Sequence, residues 1–309
     1  MEAKTEQLDS AFRKMVPERA TLGRIAGGFG FTEGPVWRGD HLLFSDIPRN
    51  RIVRLRMLQE GPEVTTFRSP SGNPNGQTLD RLGRLLTCEH GGRRVVRTEI
   101  DGTVAILAEF FQGKRLNSPN DIVVRSDGSI YFTDPHFGLG LPPKWKELSF
   151  NGVYRIAPHN EFDLLIDDFD MPNGLAFSPD ESILYINDTF RGYIRAFDMN
   201  EDGSLGKGRM FAELRGKEPG APDGMKVDCK GNVYCTGPGG LWIMDNTGKP
   251  LGRIMLPESP ANFTWGDADW KTLYITAQTS IYRMRLMIAG IAPKPAGGVV
   301  EGVPDLAPK

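Results

Sequence analysis

Apolar positions in this chain fall in short alternating runs, and the runs come in pairs joined by tight turns. Six segments share one plan: FTEGPVWRGDHLLFSDI, PNGQTLDRLGRLLTCEHG, PNDIVVRSDGSIYFTDPHFG, PNGLAFSPDESILYINDTF, PDGMKVDCKGNVYCTGPGG and a weaker NFTWGDADWKTLYITAQTS. Each starts with an acidic or amide residue and a small step. An apolar strand, a turn and a second apolar strand ending in small polar residues follow. The turns RGDH (38–41), DRLG (80–83), SDGS (126–129), SPDES (178–182), DCKG (228–231) and DADW (267–270) carry the Gly, Asp, Asn and Pro that hairpins require. With Glu33, Asn75, Asn120, Asn173, Asp223 and Asn262 as equivalent points, the spacings are 42, 45, 53, 50 and 39 residues. Further strand-like pieces lie between the hairpins, such as RIVRLRM with EVTTF and GVYRI with FDLLI. A period of about 40–50 residues with four strands per unit predicts an all-β, six-bladed β-propeller of four antiparallel strands per blade. Two β-sandwiches would not repeat one turn chemistry six times. Helices are excluded because Gly or Pro interrupts every useful window and the i, i+3, i+4 spacing is almost absent.

The sixth unit has only SIYRMRL after its hairpin, so its fourth strand is expected from the N-terminal stretch around TLGRIAGGF, closing the ring by pairing N- and C-terminal strands. The expected organisation is an N-terminal arm (1–19), a propeller domain (20–289) and a Pro/Gly-rich tail (290–309). With 37 glycines and 23 prolines in 309 residues, the composition is that of a turn-rich globular chain. A net charge of −2 gives no basic surface for nucleic acid or an acidic membrane. Cys88, Cys229 and Cys235 are odd in number and form no CxxC pair, so all three are expected to be reduced strand residues. The first twenty residues lack the apolar region of a signal peptide, which favours the cytoplasm, or the periplasm had a signal been removed. No apolar run approaches the ~18 residues that span a bilayer.

In a propeller the first strand of each blade lines the central channel, and neighbouring strands alternate in direction. The start of strand one therefore shares a face with the end of strand two. That places Glu33, Asn75, Asn120, Asn173 and Asp223 around one channel mouth. It brings His90, Asp134, His136 and Asp188, with Arg115 and Asn117 from the preceding linker, to the same rim. Carboxylates and amides converging on an axis suit a hard cation, Ca²⁺, Mg²⁺ or Mn²⁺, and Glu33 with Asp223 would balance a divalent charge. Asn-Gly and Asp-Gly could instead be turn residues, but their recurrence at equivalent positions favours a site.

FTEGPVW, NSPNDIVVRSDGSIYFTDPHFGL, MPNGLAFSPDESILYINDT and GAPDGMKVD resemble the SMP-30/gluconolactonase/LRE-like family of six-bladed propeller lactonases, over roughly residues 20–286. CEHGGRRVVR and NVYCTGPGGLWI are similar to its bacterial gluconolactonase branch. The resemblance implies metal ligands at Glu33, Asn173 and Asp223, with Asn120 near both metal and substrate. One divalent ion is expected, Ca²⁺ first on ligand hardness, with Zn²⁺, Mn²⁺ or Mg²⁺ as alternatives. Animal members carry an Arg two residues before that Asn, where this chain has Ser118, so sugar recognition is expected to be rearranged.

The expected chemistry is hydrolysis of a sugar (aldono) lactone, with Asp223 as general base and as ligand. No GxSxG motif points to an acyl-enzyme. Asn75, Asn120, His90 and His136 are expected to bind substrate. His41, in a turn on the opposite face, and His159, in an outer loop, are given no role. Trp145 lies in an insertion, residues 136–150, expected either to close over the site as a lid or to anchor to its own blade. The alternatives are a phosphotriesterase or aryl-ester hydrolase on the same metal site, and a non-catalytic propeller scaffold. The partner expected is a small lactone, with neither nucleic acid nor membrane, and the chain is expected to be a monomer or homodimer.

Overall fold

The computed structural model describes residues 1–293 and is a six-bladed β-propeller. The first blade is Thr32–Trp37, His41–Asp46, Arg51–Leu58 and Gly61–Arg68, and the second Pro74–Leu79, Leu85–Glu89, Arg94–Thr98 and Val104–Ala108. The third is Ile122–Val124, Ile130–Asp134, Asn151–Ile156 and Phe162–Phe169, and the fourth Pro172–Phe177, Ile183–Asp188, Tyr193–Asp198 and Arg209–Glu213. The fifth runs Met225–Val227, Val233–Gly237, Gly240–Met244 and Pro250–Met255. The sixth has Pro260–Gly266, Thr272–Ala277 and Ser280–Arg285, completed by the N-terminal strand Leu22–Gly27, as the sequence led us to expect. Every innermost strand touches those of the blades on either side, so the ring is closed.

Alternation along each strand explains why the blades stack. Successive residues point to opposite faces, so Phe132 packs toward the second blade and Tyr131 toward the fourth. One apolar cluster fills each of the six gaps between blades among the described residues. The hairpin turns close on their own acids: Asp80 accepts from the amides of Leu82 and Arg84, and Asp228 from those of Lys230 and Asn232.

The N-terminal segment does not stand apart from the ring. Lys4–Gln7 pairs antiparallel with Pro250–Met255 as a fifth strand of the fifth blade. A short 3₁₀ turn, Ser10–Lys14, follows it and drives Phe12 into the cluster between the fifth and sixth blades, with Met15 and Val16. The driving force is burial of three apolar side chains spaced i, i+3, i+4 on one face of the turn. The Pro/Gly-rich tail lies outside the described residues from position 294 onward. Cys88 and Cys235 are buried strand residues, whereas Cys229 is exposed in the turn after Asp228 and is not in a strand; all three are free thiols. No helix among the described residues is long and apolar enough to cross a membrane.

Candidate functional site

The acidic and amide residues that open each repeat are not in turns. Glu33, Asn75 and Asn173 stand at the start of the innermost strands, where the ladder slips between Glu33 and Val36, Pro74 and Gln77, and Pro172 and Leu175, whereas Asn120 and Asp223 lie two residues before theirs. Such bulges re-aim a side chain, and here the carboxylate or amide leaves the pleat at the channel mouth. The glycine that follows is demanded by the next blade. A Cβ on Gly76 would lie 2.3 Å from Asn120 O, and one on Gly174 2.1 Å from Asp223 O. Those carbonyls accept instead from the amides of Gly76 (2.8 Å) and Gly174 (3.1 Å). Second-strand side chains also hold carbonyls of the signature residues. Ser45 Oγ donates to Asn75 O at 2.7 Å, Thr133 Oγ1 to Asn173 O at 2.8 Å and Asn187 Nδ2 to Asp223 O at 2.6 Å. The ring of signature residues is thus fixed blade to blade by its own backbone.

Glu33 and Asp223 meet in this ring. Glu33 is 4 % exposed; its Oε2 accepts from Asn262 Nδ2 at 3.0 Å and from the Gly34 amide, while its Oε1 is buried without a partner. Burial, then the negative charges of Asp223 and Asp121, push the Glu33 carboxyl well above its ordinary range. Asp223 is pushed up to about 7 by burial and by Asp121, against the opposing pull of the Asn173 amide and the Lys226 ammonium. Asn173, buried, also donates to Thr189 Oγ1, and Thr189 in turn to Pro222 O beside Asp223. Asn120 is buried between Thr133 and Gly76 through its backbone, next to Asp121.

Two carboxylates whose pKa values are both raised, one of them with an orphaned buried oxygen, would gain from a cation beside them. Among the described residues no group of three or more His, Cys, Asp or Glu is arranged to hold a metal. The donor set is of a different kind, Glu33 and Asp223 completed by the amides of Asn173 and Asn120. All of these are hard oxygen donors, so the residues fit an oxygen-liganded divalent ion.

The two rim histidines differ. His90 is buried and stays neutral, its pKa lowered to about 4 by burial. Asn75 Nδ2 lies 2.8 Å from His90 Nε2, which makes Nε2 the acceptor and leaves the proton on Nδ1. Asn75 Oδ1 has no partner. His136 pairs with Asn151, with Nδ1 3.0 Å from Oδ1. Asp134 and Asp188 are structural: Asp134 accepts from the Asn117 amide at 2.7 Å, and Asp188 from the amides of Asp170, Met171, Phe190 and Arg191. Arg115 is tied to Glu109 and Gly92 O. Ser118 is fully buried, donating to Pro135 O and accepting from the Gly138 amide, so it fastens the turn that carries His136. Trp145 is 81 % exposed, whereas Leu148 and, in part, Phe150 pack that loop against the cluster between the second and third blades.

Residues 31–279 match the sequence model of the SMP-30/Gluconolactonase/LRE-like region. The chain belongs to this family. Among SMP-30/gluconolactonase/LRE-like relatives, a gluconolactonase of Zymomonas mobilis is 33% identical over 294 residues, covering 86% of this chain and 81% of that protein. A regucalcin of Bos taurus is 28% identical over 287 residues, covering 88% of this chain and 92% of its own. The solved structure of a gluconolactonase from Xanthomonas campestris superposes with a TM-score of 0.84 at 34% identity, covering 93% of this chain and 97% of that one.

Three residues beside the site were given no role by the sequence. Asp121 replaces the glycine found after the amide in the neighbouring PNG repeats, a visible departure in PNDI. Lys226 is a lone charge inside the short apolar strand Met225–Val227. Asn262, recognised only as a spacing point, is the side chain that holds Glu33.

Proposed function

We propose that this chain hydrolyses a sugar lactone to its aldonic acid with the help of one divalent ion at Glu33, Asn120, Asn173 and Asp223, Ca²⁺ being the first choice. The observation that carries the reading is the convergence of Glu33 and Asp223, both destabilised as anions, with an unpartnered Glu33 oxygen. Support for the lactone comes from relatives named gluconolactonase, lactonase drp35 and lactonohydrolase. Support for calcium comes from the hard donor set.

A cation held there would supply a fixed positive charge against which a lactone carbonyl oxygen gains electrons. Asp223 takes a proton from water as that water attacks the carbonyl carbon. The ring C–O bond then breaks as the proton passes from Asp223 to the departing ring oxygen, giving a hydroxyl and a carboxylic acid, and the acid releases its remaining proton to solvent to become the carboxylate. Glu33, kept in place by Asn262, would be held as an anion by the bound cation, against the burial and acidic neighbours that otherwise raise its pKa. Asn75 offers its free Oδ1 to a substrate hydroxyl, and His90 orients Asn75 by accepting from its Nδ2. A neutral His90 whose Nε2 is already engaged is a poor base, which leaves the role to Asp223. His136, on the rim beside Asn151, is placed to meet the distal hydroxyls.

Proton release from aldonolactones, followed in chelated protein with and without Ca²⁺, Mn²⁺, Zn²⁺ or Mg²⁺ and corrected for spontaneous opening, tests the reading. Activity restored by a divalent ion supports it; full turnover in verified metal-free protein overturns the metal dependence. Turnover of aryl esters or phosphotriesters above that of every aldonolactone would move the substrate class instead.

A further inference from the structure

Lys226 lies deeper in the channel than the signature residues, in the innermost strand of the fifth blade. Its stem borders a cavity of about 210 Å³ at the far end of the inner strands, lined also by Val36, Leu79, Val124 and Trp265. Its ammonium donates to Met225 O at 3.2 Å, lies 3.5 Å from Asn262 Oδ1, and lies 3.6 Å from Asp121 Oδ2. Asp121 belongs to the third blade, and the fourth stands between the third and the fifth. The Lys226–Asp121 pair therefore spans blades that share no interface.

Asp121 has every reason to be neutralised. It is 2 % exposed, its Oδ1 accepts from the Ile122 amide, and its Oδ2 accepts no hydrogen bond at all. Its charge reaches both Glu33 and Asp223, making each harder to ionise. Three carboxylates thus share one buried space. A divalent ion at Glu33 and Asp223 leaves one negative charge uncompensated, and the ammonium of Lys226 matches it. A buried carboxylate with an open oxygen is otherwise itself a place for a second cation.

We propose that Lys226 is a tethered counter-cation that occupies the place of a second metal ion at Asp121 and so restricts this chain to a single divalent ion. The proposal rests on the divalent-ion reading above. It adds that the charge of the channel floor, set by Lys226 and Asp121, tunes the affinity of that ion.

Calorimetric titration of chelated protein with Ca²⁺ and with Mn²⁺, together with metal content after dialysis, decides it for the parent, Lys226→Met, Lys226→Arg, Asp121→Asn and the double variant. The parent is expected to bind one ion. Lys226→Met is expected to bind a second ion, or to hold the first more tightly by on the order of tenfold, because a positive charge beside it has gone. Asp121→Asn should weaken the ion by a similar factor, Lys226→Arg should behave as the parent, and the double variant, which removes both charges, should return to within a few-fold of it. One ion bound at parental affinity by Lys226→Met overturns the proposal. Should Lys226→Met fail to fold, Asp121→Asn and the double variant carry the test, and parental affinity in Asp121→Asn overturns it. A parent that binds no divalent ion overturns the metal centre itself, a result distinguishable from both.

Discussion

Asn262 Nδ2 donates to Glu33 Oε2 at 3.0 Å across the seam where the sixth blade meets the first. The contact that orients one of the two site carboxylates is therefore also a contact that closes the ring. Loosening the seam should disturb the site before it disturbs the fold, because a carboxylate with one orphaned oxygen has little else to hold it.

Glu33→Gln separates the two functions of that side chain. In metal-free protein the neutral amide removes repulsion against Asp223 and Asp121, so the melting temperature should rise by several degrees. Addition of Ca²⁺ should then stabilise the variant far less than the parent, and lactone turnover should fall at least a hundredfold. Differential scanning calorimetry with and without metal, alongside the proton-release assay, checks both signs.

Asp223→Asn and Asn173→Ala should part company at saturating metal. The first keeps an oxygen donor but loses the proton acceptor, and general-base removal typically costs about 10²–10⁴-fold. The second deletes a neutral donor and should regain most turnover once metal is in excess. A metal-loaded Asp223→Asn within a few-fold of the parent would leave Asp223 as a ligand alone.

Stability of the metal-free protein should fall as the pH rises from about 4 to about 7. The folded-state pKa of Asp223, about 7, lies above the ordinary 3.8, so the folded protein holds a proton that the unfolded chain has already released. Burial of Asp134, also raised to about 7, acts in the same direction. The slope contributed by Asp223 should vanish with saturating divalent ion. His90 works oppositely: with its folded pKa lowered from 6.5 to about 4, it costs stability as the pH falls through that window, by up to about 3 kcal/mol. His90→Gln should flatten the acid limb, as read from urea midpoints at a series of pH values.

Gly174→Ala should destabilise by about 1–3 kcal/mol, in the range of an overpacked core. The new methyl would meet Asp223 O at 2.1 Å, with the Met225 amide and Asn187 Nδ2 each at 2.8 Å, so the fourth and fifth blades must move apart at the channel mouth. Gly128→Ala, at a positive φ in an outer turn with only Pro158 nearby, is the control: strained, but without effect on metal affinity. Chemical denaturation and metal titration of the pair distinguish site geometry from general stability.

The propeller was readable because each blade must solve the same packing problem, so the same turn acids, apolar alternation and Asn-Gly steps recur. The placement of Glu33, Asn75, Asn120, Asn173 and Asp223 at equivalent points was readable for that reason, and the choice of four of them as metal ligands came from the family resemblance. Asp121 and Lys226 were not readable, since a contact between blades that are not neighbours leaves no periodic mark. Repeats show what blades share, and these two are departures from it. Asp134 and Asp188 end their second strands as expected, yet their hydrogen bonds go to backbone, which a sequence pattern cannot separate from substrate binding. The strand Lys4–Gln7 escaped notice because an outermost strand is half solvated and carries no apolar alternation; only the spacing of Phe12, Met15 and Val16 hinted that this segment is packed.

That N-terminal segment has a consequence for how the chain comes to be folded during its synthesis. Lys4 pairs with Met255 and Leu22 with Met284, partners separated by more than 250 residues. At about 5–20 residues per second, the ribosome needs on the order of ten to fifty seconds to deliver them. For that interval the strand Leu22–Gly27 and the apolar side chains of Phe12, Met15 and Val16 have no native surface to cover. The early blades can form in order as they emerge, but the last clasp waits for translation to reach the sixth. Stalling between the fifth and sixth blades should therefore leave the strand Leu22–Gly27 open to proteases and chaperones, while the blades already made are protected.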